Sequence, residues 1–151
     1  MSDAAPVVTV DPLVKNVAVG VSVEEAFRRF TAGVGEWWPL ATHSIGQENA
    51  ANCSLDGRVG GRLYEIQKDG TECIWGTVLR WEPPNAVAFS WHPDKTESLA
   101  GRVELEFEAV EGGTEVTLVH TGWERLGDEA EETRASYDSG WDFVLARYTD
   151  L

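Results

Sequence analysis

The stretch RVELEFEAVEGGTEVTLVHTGW, Arg102–Trp123, sets the architecture. Val103, Leu105, Phe107 and Ala109 alternate with Glu104, Glu106 and Glu108. A strand with this period has one dry face and one wet face, as in an antiparallel sheet covered on one side only. Gly112-Gly113 divides the stretch and predicts a hairpin. With those two residues as the turn, Phe107 faces Leu118, Leu105 faces His120 and Val103 faces Gly122. His120 then lies on the dry face.

The neighbouring segments read in the same way. From Asn49 to Trp123 the chain is short strands and tight turns, punctuated by Asp69-Gly70 and by the prolines of EPPN, Glu82–Asn85. A two-residue turn at Asp69-Gly70 pairs Tyr64 with Trp75, Glu65 with Ile74 and Leu63 with Gly76. Pairing Trp81 with Ala86 sets Val78 against Phe89 and Gly76 against Trp91. One face then carries Leu63, Glu65, Ile74, Gly76, Val78, Val87, Phe89 and Trp91. The other carries Tyr64, Trp75, Leu79, Trp81 and His92, so aromatic that it calls for a cover, most simply a symmetric homodimer.

Before the strands, Val7 to Val19 reads as a valine-rich first strand. Ser22 and Glu25 form a capping box for a helix whose apolar face is Val23, Ala26, Phe27 and Phe30. Gly33 and Gly35 end it and lead into EWWPLATHSIG, Glu36–Gly46. After the strands, a helix is expected from Glu129 to Tyr148, N-capped by Asp128, with Tyr137, Trp141, Val144, Leu145 and Tyr148 along one side. Such a helix is about 30 Å long, enough to cross a sheet. The order β-α-α-β6-α argues an α+β fold in one domain spanning 1–151.

Bulk properties narrow the partners. The chain has 151 residues, a formal net charge of −14 and seven tryptophans. That field repels phosphate backbones and anionic lipid, which argues against nucleic acid and membrane surfaces. No apolar run reaches membrane-spanning length, and the N-terminus lacks the basic and apolar regions of a signal peptide. A cytoplasmic location is expected, with Cys53 and Cys73 as small buried hydrophobes in a reducing compartment and the NCS sequon at Asn52 idle. His43, His92 and His120 form no metal motif, and no nucleotide-binding or nucleophile-elbow pattern occurs, so neither metal nor cofactor is expected.

The run GRVGGRLYEIQKDGTECIWGTVLRWEPPNAVAFSW, Gly57–Trp91, resembles the SRPBCC superfamily, together with HTGWERLGD and GWDFVLARY. Within it, the branch related to activators of the heat shock protein 90 ATPase is the more similar. The resemblance implies a helix-grip fold, a curved antiparallel sheet around the long C-terminal helix, with a cavity between them for apolar or aromatic small molecules. On the sequence given, the first strand begins within about ten residues of Met1. That leaves no room for the extra N-terminal domain of the eukaryotic co-chaperone, so its activity is not carried over.

The residues expected at the cavity are Trp38, His43, Glu65, Trp91, Phe107, His120 and Trp141. Trp37 and Trp38 either form a rim or plug a packing corner. Glu65 and His120 are the polar residues that strand parity puts inside. They are acid–base candidates if the protein is an enzyme, and satisfied core groups if it is not. The leading expectation is a binding protein for a small hydrophobic or aromatic molecule. The alternatives are a cyclase or dehydratase using the same cavity, and a chaperone-interacting module.

Overall fold

The computed structural model describes residues 10–93 and 95–150. The strands are β1 (Leu13–Val19), β2 (Ala50–Leu55), β3 (Arg62–Gln67), β4 (Glu72–Glu82), β5 (Ala86–Trp91), β6 (Gly101–Val110) and β7 (Gly113–Thr121). They form one sheet in the order β1-β7-β6-β5-β4-β3-β2. Every neighbouring pair is antiparallel. The helices are α1 (Val23–Phe30) and α2 (Ala130–Thr149). The curled sheet grips α2, which buries Trp141, Val144, Leu145 and Tyr148. One apolar stripe and one dry sheet face are thus covered together. Of the first strand expected from Val7, residues 7–9 lie outside the described residues.

Local chemistry explains the ends of α1. Ser22 accepts a hydrogen bond from the Glu25 N–H, so the cap forms, while the Glu25 carboxylate turns to Arg28. The second short helix is a single 3-10 turn, Val34–Glu36. The final helix begins one residue later than expected, at Ala130. It has Glu129 as its cap, without a side-chain bond, in place of Asp128.

The hairpins show which register errors matter. The β6–β7 loop is Glu111-Gly112, so Val103 faces His120, Leu105 faces Leu118 and Phe107 faces Val116. Moving the turn by one residue shifts the pairing by two, which preserves the face. His120 is therefore inside, 2% exposed. The β3–β4 loop has three residues, Lys68, Asp69 and Gly70, closed by Gln67 N–H to the Thr71 carbonyl at 2.8 Å. Gly70 supplies the left-handed residue of such a loop, at φ 90°. The extra residue slips the pairing by one: Tyr64 meets Ile74 and Glu65 meets Cys73. A bulge at Trp75 then restores the expected Leu63–Gly76 pair.

The consequence is an exchange of faces. Ile74 is 46% exposed, whereas Trp75 is 1% exposed and in the core. His92 is buried as well. A second bulge, between Val78 and Arg80, pairs Trp81 with Val87. Trp81 then packs edge-on against Phe27 at 5.1 Å. Tyr64 lies under the Arg62 guanidinium. The expected outer aromatic face therefore does not exist, and the argument it gave for a dimer falls with it. At Gly76 the close approach of β5 leaves no room for a side chain. A Cβ there would stand 1.7 Å from the Ser90 carbonyl oxygen of β5.

Candidate functional site: an indole-walled cleft

The 3-10 turn at Val34–Glu36 answers how two adjacent tryptophans are both buried. It breaks the alternation, and the indoles leave in different directions. Trp37 donates to the Arg29 carbonyl at 2.7 Å and packs between Phe30 and Tyr148, each at 5.1 Å. It plugs the corner between α1 and α2. Trp38 turns to a cleft of about 340 Å³, bounded by the loop around residues 42–47, the β4 and β5 tryptophans and α2.

Four indoles build the wall. Trp38 lies 5.1 Å from Trp75, 6.1 Å from Trp91 and 5.9 Å from Trp141, and Trp91 lies 5.4 Å from Trp141. Each indole N–H is already engaged. Trp38 donates to the His43 carbonyl at 2.8 Å. Trp75 donates to Glu65 Oε1 at 2.8 Å. Trp91 donates to the Tyr137 hydroxyl at 3.0 Å, and Trp141 to His120 Nδ1 at 3.0 Å. With its only donor spent, each indole offers carbon surface to the cleft.

Of the sequence-predicted residues, Trp38, His43, Trp91 and Trp141 line this cleft. Glu65 and His120 stand behind the wall, each holding one of its indoles. Phe107 is elsewhere in the core, against Phe27 at 5.3 Å and Phe30 at 6.5 Å. Trp75, Tyr137 and Val144 also line the cleft. Tyr137 and Val144 sat on the expected stripe of α2. Trp75 was hidden by the third residue of the β3–β4 loop, which exchanges the faces, and Gly76 beside it is the sequence mark of the bulge that follows.

Glu65 is fully buried and accepts the backbone N–H groups of Ile45 at 2.7 Å and Gly46 at 2.8 Å, besides the Trp75 indole. The carboxylate thereby pins the loop that carries His43. His120 has no charged partner, and burial drives its pKa down to about 3. It is a neutral ring with Nδ1 as acceptor. At the mouth, His43 stacks on Phe143 at 4.8 Å and 5°, and burial lowers its pKa also. Cys53 and Cys73 are not joined in a disulfide. They flank Glu65 on opposite strands, a separation of two strand spacings that no disulfide spans. Burial, aided by the Glu65 charge, pushes the Cys53 thiol up to about 12. Among the described residues no cluster of three or more His, Cys, Asp or Glu side chains could hold a metal ion. Nor is any helix long and apolar enough to cross a membrane.

A seven-stranded antiparallel sheet curled around one long C-terminal helix defines the helix-grip class. Within it, the chain belongs to the family described as activator of Hsp90 ATPase homolog 1-like protein, whose model matches residues 21–148. Among solved structures, the anthrahydroquino-gamma-pyrone synthase Txn09 is 33% identical over 86% of this chain and 88% of its own, with a TM-score of 0.59. The Aha1 dimer from Colwellia psychrerythraea is 19% identical over 93% of this chain and 95% of its own, with a TM-score of 0.67. CalU16 from Micromonospora echinospora is 19% identical over 91% and 71%, with a TM-score of 0.63. No curated protein matches the sequence.

Proposed function

We propose that the protein binds a flat aromatic or hydrophobic small molecule in the cleft between sheet and α2. The observation that carries this is the wall of four indoles whose N–H groups are all tied back into the protein. Such a wall recognises shape and π-surface, and leaves polar selection to the few side chains at the rim, His43 among them. A volume of about 340 Å³ lies at the lower end of the range for small-molecule pockets, ~300–1,000 Å³. Titration of a naphthalene-sized probe tests it. Saturable quenching of tryptophan fluorescence that Trp38→Ala weakens supports the reading, and no saturable binding of any fused-ring probe defeats it.

A second reading is favoured by one observation, the 33% identity to a synthase whose named product class is an aromatic pyrone. In that reading the cleft closes or dehydrates a ring. Glu65 and His120, the earlier acid–base candidates, would act only through the indoles they hold. Turnover of an open-chain precursor that stops with His43→Ala while stability and probe binding are kept would favour the rim histidine as the proton carrier. A chaperone-interacting role is supported by the family description alone, and capture of a purified heat shock protein 90 by this chain would test it. A cytoplasmic location is consistent with Cys53 and Cys73 standing too far apart for a disulfide. A homodimer is supported by the dimeric Colwellia relative, and sedimentation measures it directly.

A further inference from the structure

Beyond the cleft lies a second, far smaller pocket of about 20 Å³, bordered by His92, Gly101, His120 and Trp123. Trp91, Pro93 and Tyr137 border both spaces, so a single layer of side chains separates them. The pocket has the volume of one water molecule or one hydroxyl group.

Its polar atoms are unusual. His92 is 7% exposed, and its Nε2 is buried with no hydrogen-bond partner among the described residues. Its Nδ1 lies 3.3 Å from the Lys95 carbonyl, which can only accept, so Nδ1 holds the proton. In the neutral ring Nε2 is then a free acceptor. His120 is the reverse. Its Nδ1 accepts from the Trp141 indole, so the proton of this neutral ring is on Nε2. That nitrogen stands over Gly101, only 3.1 Å from where a Cβ would be, and glycine keeps the space open.

Both rings border one hydroxyl-sized space, one with an unpartnered acceptor and the other with a donor, and the pair calls for a group that both donates and accepts. A metal ion is unsuited, because His120 Nε2 carries a proton that the Trp141 bond fixes there. We propose that this pocket is a hydroxyl site at the end of the cleft. It takes the O–H of an aromatic ligand, which donates to His92 Nε2 and accepts from His120 Nε2–H. The proposal rests on the binding function above and narrows it to hydroxyl-bearing aromatics. Reaching the pocket requires Tyr137, half-buried in the dividing layer, to turn aside and release the Trp91 indole N–H that it accepts in the unliganded protein.

The test compares 2-naphthol with 2-methylnaphthalene, near-equal in shape and different in the hydroxyl, by calorimetry at pH 8. We expect 2-naphthol to bind about tenfold more tightly, the effect of one hydrogen bond worth ~1.4 kcal/mol. His92→Leu should abolish the preference, and His92→Gln, which keeps an acceptor, should retain part of it. Equal affinities for the two probes in the unmodified protein overturn the proposal and leave the pocket to a water molecule, with the cleft reading intact. A preference that survives His92→Leu overturns it equally. If neither probe binds, the cleft reading fails and this site fails with it. Where His92→Leu does not fold, His92→Gln and His43→Ala decide the matter: a preference that His43→Ala removes and His92→Gln leaves whole places the hydroxyl at the rim and overturns the proposal.

Discussion

Glu65 Oε1 accepts the indole N–H of Trp75 at 2.8 Å while the same carboxylate takes the Ile45 and Gly46 amides, so one buried charge joins the cleft wall to the cleft rim. The carboxylate is acceptor-only, and each of these partners is a donor. Glu65→Gln sets an amide N–H₂ among them and leaves at least one buried donor unpaired. We expect a loss of about 3 kcal/mol or more by urea denaturation, with faster amide exchange at Ile45 and Gly46 than elsewhere. A loss below about 1 kcal/mol, with those two amides still protected, would show that the loop is held by other contacts.

The two adjacent tryptophans should separate in their effects. Trp37, 2% exposed, touches Phe30 and Tyr148 and does not border the cleft. Trp37→Ala should cost roughly 3–5 kcal/mol of stability and leave probe affinity unchanged in the folded fraction. Trp38 is also buried but lines the cleft, so Trp38→Ala should cost stability and weaken binding by about 1–3 kcal/mol. Denaturation curves and calorimetry on the two variants give both numbers. Intact affinity in Trp38→Ala makes both indoles structural.

At Gly76, β4 and β5 stand too close for any side chain. The atom nearest to a new Cβ is the backbone oxygen of Ser90, which cannot move without parting the strands. Gly76→Ala should therefore cost about 3 kcal/mol or express as insoluble protein, a larger effect than its one methyl group suggests. A thermal midpoint within a degree or two of the parent would mean that the strands separate easily at this point.

The order of elements, the capping of α1 by Ser22 and the buried side of α2 were legible because each rests on a period or a local bond. The interior position of His120 was legible despite a misplaced turn, since a shift of two keeps parity. Trp75 and Trp81 were not legible, nor was the burial of His92, which follows Trp91 beyond the end of β5. A third loop residue at Lys68-Asp69-Gly70 and the bulges at Trp75 and beside Leu79 each change parity by one, and a side chain changes face with every such step. The cleft was half legible for the same reason. Trp38 and His43 followed from the loop, Trp91 from strand parity and Trp141 from the helix stripe, whereas Glu65 and His120 were expected at the cavity and stand inside but behind the wall. Parity tells that a side chain is interior, and tells nothing of which interior space it meets.

His120 also gives the protein a pH dependence of definite sign. In the unfolded chain its pKa is near the ordinary ~6.5. In the folded protein burial without an opposing charge holds it at about 3. Above pH 6.5 both states are neutral at this ring, and it contributes no slope. Between pH 6.5 and about 3 the unfolded state binds a proton that the folded state refuses, so stability falls as pH falls, by ~1.4 kcal/mol per pH unit at the steepest. Carboxylates such as Asp138 and Glu82, held below their usual range by Lys15 and Arg80, lose stability in the same direction at lower pH. The isolating measurement is therefore a difference. Urea midpoints for the parent and for His120→Gln, which has no proton to gain, are followed from pH 8 to pH 4. The variant should be the less stable at pH 8, because the Trp141 indole loses its best-placed acceptor. The gap should close steadily below pH 6.5, with a slope of about one proton, as the parent alone pays for keeping the ring neutral. The other histidines and the carboxylates are common to both chains and cancel. Two curves that stay parallel down to pH 4 would mean that the folded protein accepts a proton at His120 as readily as the unfolded chain does.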